Sequence, residues 1–450
     1  MLSEASRSSS AHSFAPPPLP WLHATSRTNS VGSSTPNPTD FGNQSKIAKR
    51  KTFTSHLLKE PVPKPWLERR DRWATAGTWV TRALFILGVL AAAALCFFGF
   101  TGIEQLGNVC LVMEDDFNTL DTTTWQREVE IAGFGNGEFQ WYTANDNNSF
   151  VDSGNLYIVP TLTSDVIGTS AVFNGYTLTL PDCTTNNKTD CSTSSSNGAG
   201  TVINPVQSAR LTTRLSHSLQ YGRVEVRAKM PTGDWLWPAI WMLPVNNTYG
   251  PWPMSGEIDI AESRGNAMTY PAQGSNFVSS ALNWGLYAGP TTTINAWAKT
   301  WGWVTQRRAS YADEFHTYAI EWTDQFMHFY VDTRIVSSLS LSFKKESFFQ
   351  RGNFPQIIEQ GAQQVVLTNP WEGRGNNAPF DQPFYLILNV AVGGTNGWFP
   401  DGVGNKPWVD QSATAMRDFA FSQSTWYATW PKNVKDRAMV VDSVKMWKLC

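Results

Sequence analysis

Twenty-one consecutive positions, Ala83 to Ile103, carry no charge, and that run divides the chain before anything else can be read from it. About 20 apolar residues span the hydrocarbon layer of a bilayer. A cleaved leader needs a short positively charged n-region, and here 82 residues precede the run. A buried helix of a soluble domain keeps a polar stripe, which Leu84-Phe85-Ile86-Leu87 and Leu95-Cys96-Phe97-Phe98 do not offer. Residues 83–103 are therefore read as a transmembrane signal anchor, residues 1–82 as a tail and residues 104–450 as the folded domain. Arg69, Arg70, Arg72 and Arg82 lie before the span and Glu104 lies just after it. Positive flanks favour the cytoplasm. A type II arrangement follows, with the large domain lumenal or extracellular, in the secretory pathway, at the plasma membrane or in a cell wall.

The tail holds 12 Lys/Arg and 5 Asp/Glu, which leaves 23 basic and 32 acidic residues of the totals of 35 and 37 for the remainder. Its Pro16-Pro17-Pro18 and Ser33-Ser34-Thr35-Pro36 segments cannot bury enough apolar surface to offset chain entropy, so disorder is expected there. The acidic remainder argues against a nucleic-acid partner, whose phosphates call for a basic face. A neutral polysaccharide makes no such demand. No cofactor or metal ligand set is legible, and a monomer is expected.

Beyond the span the pattern is strand after strand. Arg223-Val224-Glu225-Val226-Arg227-Ala228-Lys229 alternates charged with small apolar residues, the signature of a strand wet on one face. Phe384 to Val392 is nearly all apolar and should lie deep between sheets, and Met439 to Trp447 should close the domain. With no long helical stripe, the class is all-β and the architecture a sandwich. Long loops are expected at Thr179 to Thr201 and Lys344 to Gly375.

One strand carries chemistry. Gly256-Glu257-Ile258-Asp259-Ile260-Ala261-Glu262-Ser263 sets three carboxylates among apolar strand formers. Charge there is costly unless it is paired or used. Alternation puts Glu257 and Asp259 on one face and sends Glu262 to the other. One extra residue near Ile260 or Ala261, a β-bulge, brings Glu262 back. About four regular steps, roughly 13 Å, then separate the two Glu Cα atoms. Side chains leaning together close most of the distance to the about 5–5.5 Å that glycosidic cleavage with retention requires. Glu257 is assigned as nucleophile, Asp259 as its hydrogen-bonding support and Glu262 as acid/base.

The surroundings of that strand resemble glycoside hydrolase family 16, of the laminarinase and β-1,3-glucan-binding type in a fungal-like, membrane-anchored form. The matching segments are Tyr221 to Pro231, Trp237-Pro238-Ala239-Ile240-Trp241-Met242-Leu243-Pro244, the carboxylate run, Phe315 to Trp322, Ala378-Pro379-Phe380-Asp381 and Asn389 to Thr395. The resemblance implies a β-jelly roll with a concave glucan-binding cleft. It carries the nucleophile onto Glu257, the supporting acid onto Asp259 and the acid/base onto Glu262. Sugar-binding candidates that follow from it are Asn136, Glu138, Arg210, Trp237, Trp241, Asn283, Trp284 and Trp398. Active members often have His in a His-Trp-Gly segment where this chain has Asn283-Trp284-Gly285, so a side chain that hydrogen-bonds but does not titrate stands there. His316 reads as a packed strand residue rather than a catalyst.

Of the five cysteines, Cys96 lies in the span and four lie beyond it. An even count in an oxidising compartment implies disulfides, with three pairings possible. Cys183–Cys191, closing a polar loop, and Cys110–Cys450, joining the ends of the domain, are favoured. Asn147, Asn187 and Asn246 head glycosylation sequons. The implied activity is a retaining endo-β-glucanase acting on β-1,3 or mixed β-1,3/1,4 glucan in cell-wall remodelling. The alternatives are a glucan transglycosylase and a non-catalytic β-glucan-binding protein.

Overall fold

A computed structural model describes residues 59–69, 71–131, 133–287, 293–360 and 363–450. The expected tail falls mostly on residues 1–58, outside the described residues. Two compact units are distinguished, Met1–Ala91 and Ala92–Cys450. In the first, a short helix Pro65–Glu68 precedes the start of the 31-residue helix Arg72–Gly102. The Asp71 carboxylate accepts the Trp73 N–H at 2.8 Å and so caps the helix. This helix is long and apolar enough to cross a membrane. It begins eleven residues before the expected span, where the Asp71 cap starts the helix in the polar flank.

Among the described residues the second unit is built on two antiparallel sheets of eight strands each, with four smaller sheets beside them. The first sheet runs Thr333–Ser342, Phe326–Val331, His316–Trp322, Gly222–Lys229, Met439–Leu449, Asn155–Ile158 and Ser149–Asp152, with Val109–Asp115 also on Met439–Leu449. The second runs Trp301–Thr305, Phe277–Asn283, Glu257–Ser263, Leu236–Pro244, Phe384–Val392, Arg210–Thr212 and Gln126–Arg127, with Ser218–Leu219 also on Phe384–Val392. Alternation makes the core. Val224, Val226 and Ala228 of one sheet and Ile240, Met242, Ile258 and Leu282 of the other are fully buried, each large aliphatic contributing roughly 1.5–3 kcal/mol. Phe384–Val392 is buried at every position. It is central in its sheet, with core on one side and the polar floor of the site on the other.

Among the described residues no helix after the span exceeds the seven residues of Ala415–Phe421. The Lys344–Gly375 loop holds the capped helix Phe348–Gly352 and the hairpin Ile357–Gln360 with Gln363–Val366. Cys110–Cys450 and Cys183–Cys191 are both joined. The first ties the opening strand to the end of the closing strand it pairs with. By the chain-entropy argument, closing a loop of 340 residues stabilises by about 6 kcal/mol before any native-state strain is counted. Asn147, Asn187 and Asn246 are all exposed.

Candidate active site

The carboxylate strand lies near the middle of the second sheet, and its register is broken where the sequence demands it. Towards Phe277–Asn283, Glu257 faces Asn283, Asp259 faces Ala281 and Glu262 faces Ser279. Towards Leu236–Pro244, Asp259 faces Trp241 and Glu262 faces Ala239. Three steps on the carboxylate strand thus answer to two on each neighbour. Ala281 and Ser279 share a face, as do Trp241 and Ala239, so Glu257, Asp259 and Glu262 share one too. The inserted residue disrupts the ladder at Ile260, and the buried Ser280 hydroxyl donates to the Ile260 carbonyl at 2.7 Å. That bond satisfies an acceptor whose burial without a partner would cost about 1–3 kcal/mol. At the strand's start Gly256 has φ +84°, and a Cβ there would stand 2.8 Å from the Phe380 ring, so only glycine fits this entry.

Each carboxyl group has assigned N–H donors. Asn283 Nδ2 donates to Glu257 Oε1 and to Asp259 Oδ2, both at 2.8 Å. Trp252 Nε1 donates to Glu257 Oε2 at 3.2 Å, and Trp237 Nε1 donates to Glu262 Oε1 at 2.9 Å. Burial is the main force lifting all three carboxyl groups above their ordinary range. Glu257 is pushed up to about 8, with repulsion from Glu262 adding to burial while the Trp252 N–H and Arg210 oppose it. Asp259 is pushed well up by burial and by both glutamates. Glu262 is pushed up to about 7, with the Trp237 N–H and Arg264 opposing. At neutral pH the cluster therefore retains at least one proton. Coulomb repulsion assigns the higher value to Glu257, but Glu257 accepts two N–H donors and Glu262 one. Hydrogen bonds to the charged form favour it, so the charge belongs on Glu257 and the proton on Glu262. Such a cluster can deliver a proton at one point and a nucleophile or base at another.

The other expected residues divide into contacts and supports. Trp237 is 7% exposed. Its ring stacks on Trp398 at 4.9 Å and 11°, and Arg264 lies over the Trp398 ring at 4.1 Å. Half-buried Trp241 donates to Asn389 Oδ1 at 2.6 Å, and Asn389 Nδ2 donates to Tyr142 at 2.8 Å. Arg210 is buried between the rings of Phe134 and Trp241 and ion-paired with Glu128 at 2.5 Å. Glu138 is also buried, accepting from Asn136 at 3.0 Å and Gln140 at 2.5 Å. Arg210 and Glu138 thus back the face rather than line it, whereas Asn136 is half-buried at its margin. Trp284 is a correction. It is fully buried, donates to Thr300 Oγ1 at 2.7 Å and packs edge-on against Phe348. The strand that turns Asn283 towards the carboxyl groups turns its successor inward. His316 lies in the other sheet, paired with Asp332 at 2.8 Å.

Sequence reasoning missed Trp252, 44% exposed beside Glu257. The signal was present in Pro251-Trp252-Pro253, since a Trp held between prolines just ahead of a carboxylate has no core strand to join. It also missed Trp301 and Trp303. They face Ala281 and Ser279 across the edge strand and so share the face of the carboxyl groups.

Comparison with known proteins gives consistent relatives. A family model described as glycosyl hydrolases family 16 matches residues 179–381. A β-1,3-glucan-binding protein of Penaeus monodon is 43% identical over 354 residues, covering 76% of this chain and 90% of that protein. A β-glucanase of Rhodothermus marinus is 31% identical over 322 residues, covering 70% of this chain and 86% of that protein. The solved structure of the laminarinase from Rhodothermus marinus is 28% identical, with a TM-score of 0.46, covering 77% of this chain and 100% of that one.

Proposed function

The chain belongs to glycosyl hydrolases family 16, and from that membership we propose that it is a retaining endo-β-glucanase acting on β-1,3 or mixed β-1,3/1,4 glucan. The observation that carries the reading is the bulge at Ile260, which sets Glu257, Asp259 and Glu262 on one face, with Asn283 donating to the first two and Trp237 to the third. Glu262 gives its proton to the glycosidic oxygen as the bond from that oxygen to the anomeric carbon breaks. Glu257 forms a bond to that carbon from the opposite side. The leaving glucan departs with the proton as a hydroxyl. Glu262, now a carboxylate, takes a proton from an incoming water whose oxygen displaces Glu257. Two inversions retain the configuration. Asp259 and Glu257 are held together through Asn283, which keeps the attacking oxygen in place. The exposed Trp252 ring offers a flat apolar face to a sugar ring, while the Trp237–Trp398 stack under Arg264 holds the Trp237 N–H on Glu262. The helix Arg72–Gly102 would hold the domain at a membrane in the type II sense, and the exposed Asn147, Asn187 and Asn246 would accept glycans.

Digestion of laminarin by the full-length protein in detergent, read as new reducing ends, tests the activity. Turnover is expected, and its loss is expected in Glu257→Gln. A second reading, a glucan-binding protein without turnover, is favoured by the 43% identity to the β-1,3-glucan-binding protein of Penaeus monodon. Retained laminarin binding with no reducing ends from the wild-type protein would establish it. A labelled acceptor oligosaccharide that grows longer would mean that a glucan chain replaces water in the second step.

A further inference from the structure

The amide of Asn283 bridges two carboxyl groups, and only one orientation of that amide does so. Turned over, its carbonyl would face Glu257 and Asp259, and acceptor would meet acceptor. A second amide settles the direction. Asn295 Nδ2 donates to Asn283 Oδ1 at 2.7 Å. Asn295 Oδ1 accepts the backbone N–H of Trp297 at 3.1 Å and of Trp284 at 3.3 Å. A backbone N–H can only donate, so the Asn295 carbonyl must point at Trp284 and Trp297 and its NH2 at Asn283. Asn283 is then forced to turn its carbonyl to Asn295 and both its N–H bonds to the carboxyl groups. Two main-chain amides thereby set the polarity of a chain that ends on Glu257 and Asp259. The short hairpin that makes this possible pairs Gly285 with Asn295. A Cβ on Gly285 would stand 1.8 Å from the Ile294 carbonyl oxygen, so glycine is required for the two strands to approach this closely.

We infer that Asn295 is a positioning residue, which holds the Asn283 amide in the one direction that keeps Glu257 an acceptor ready to attack. The inference rests on the double-displacement reading for its effect on rate, but the polarity of the chain does not depend on it. The other groups that act on Glu257 are Asp259 and Glu262 on its own strand, the Trp252 N–H, and the charges of Glu138 and Arg210. Trp237 and Arg264 act on Glu262. Among the described residues none of these hydrogen-bonds Asn295, so a change there leaves them in place.

Asn295→Asp in the full-length protein is the test. The substituted carboxylate can still accept from Trp284 and Trp297 but offers Asn283 no N–H. Asn283 then turns its NH2 to that carboxylate and its carbonyl to Glu257 and Asp259, a geometry that a bound proton on either acid relieves. Losing a hydrogen bond to a charged group, with a carbonyl in its place, is expected to move the acid limb of the kcat/KM pH profile up by about 1–2 units. That is a shift worth roughly a 10- to 100-fold loss below the limb, with KM little changed. Asn295→Leu adds no charge and frees Asn283 to turn, so a smaller shift in the same direction is expected. Infrared titration of the Glu257 carboxyl, its band identified with Glu257→Gln, reads the proton without turnover, and its midpoint should rise in both variants. If folded variants keep both the acid limb and the infrared midpoint at their wild-type positions, the inference is overturned. If the wild-type protein turns over no glucan while the infrared midpoint still rises, the activity reading fails and the role of Asn295 stands.

Discussion

Replacing Glu262 by Gln should stabilise this protein at alkaline pH and leave it unchanged in acid. Glu262 is lifted from 4.5 to about 7 by burial, against the pull of the Trp237 N–H and Arg264. In the unfolded chain the same group titrates near its ordinary value. Below 4.5 both states hold the proton and nothing is lost. As pH rises towards 7 the unfolded state gives its proton up while the folded state keeps it, so stability falls. A shift of about 2.5 units corresponds to roughly 3.4 kcal/mol. Glu262 keeps part of its surface open to water, and halving for that screening leaves about 2 kcal/mol. Gln has the same shape, still accepts from Trp237 and cannot ionise. For a domain of this size the difference corresponds to a rise in Tm of about 3 °C at about pH 8. Scanning calorimetry of both full-length proteins in detergent from about pH 4 to 8.5 measures it. The two Tm curves should coincide at about pH 4 and separate steadily above about pH 5. Parallel curves, or a variant less stable on the alkaline side, would refute the reasoning that burial of this carboxyl is a cost the fold carries for its chemistry.

Two further perturbations separate the frame of the site from its chemistry. Ser280→Ala removes the hydroxyl that satisfies the bulged Ile260 carbonyl; thermal unfolding should report a loss of about 1–3 kcal/mol, with turnover falling as the bulge relaxes. Breaking Cys110–Cys450 by paired substitution to Ser should lower stability by about 2–5 kcal/mol while leaving KM for laminarin unchanged, because the bridge ties two paired strands of the other sheet.

Much of this architecture was legible because β-structure writes its faces into the sequence with a period of two. Arg223–Lys229 alternates and is buried on alternate positions, and Phe384–Val392 does not alternate and is buried throughout. The bulge was legible for the same reason. Three acids in a strand are tolerable only if they are used together, and a period of two cannot bring Glu257 and Glu262 to one face without an added residue. What escaped depends on contacts between segments distant in sequence. Trp284 follows a residue that faces the carboxyl groups, yet its ring fills a pocket made by Phe348, Phe354 and Trp371, which no local pattern announces. Arg210 and Glu138 carry charge, which suggests exposure, but Glu128, Asn136 and Gln140 satisfy them below the surface. Asn295 lies 12 residues beyond Asn283 and matters only because the pairing of Gly285–Tyr287 with Thr293–Asn295 brings it back.

The anomeric form of the first product tests the central claim most directly. If Glu257 and Glu262 work as a nucleophile and an acid on opposite sides of one sugar, proton NMR during the first minutes of laminarin digestion should show the new reducing end appearing as the β-anomer, with the α-anomer arising later by mutarotation. The α-anomer appearing first would mean a single displacement by water, and the paired-glutamate account would be wrong.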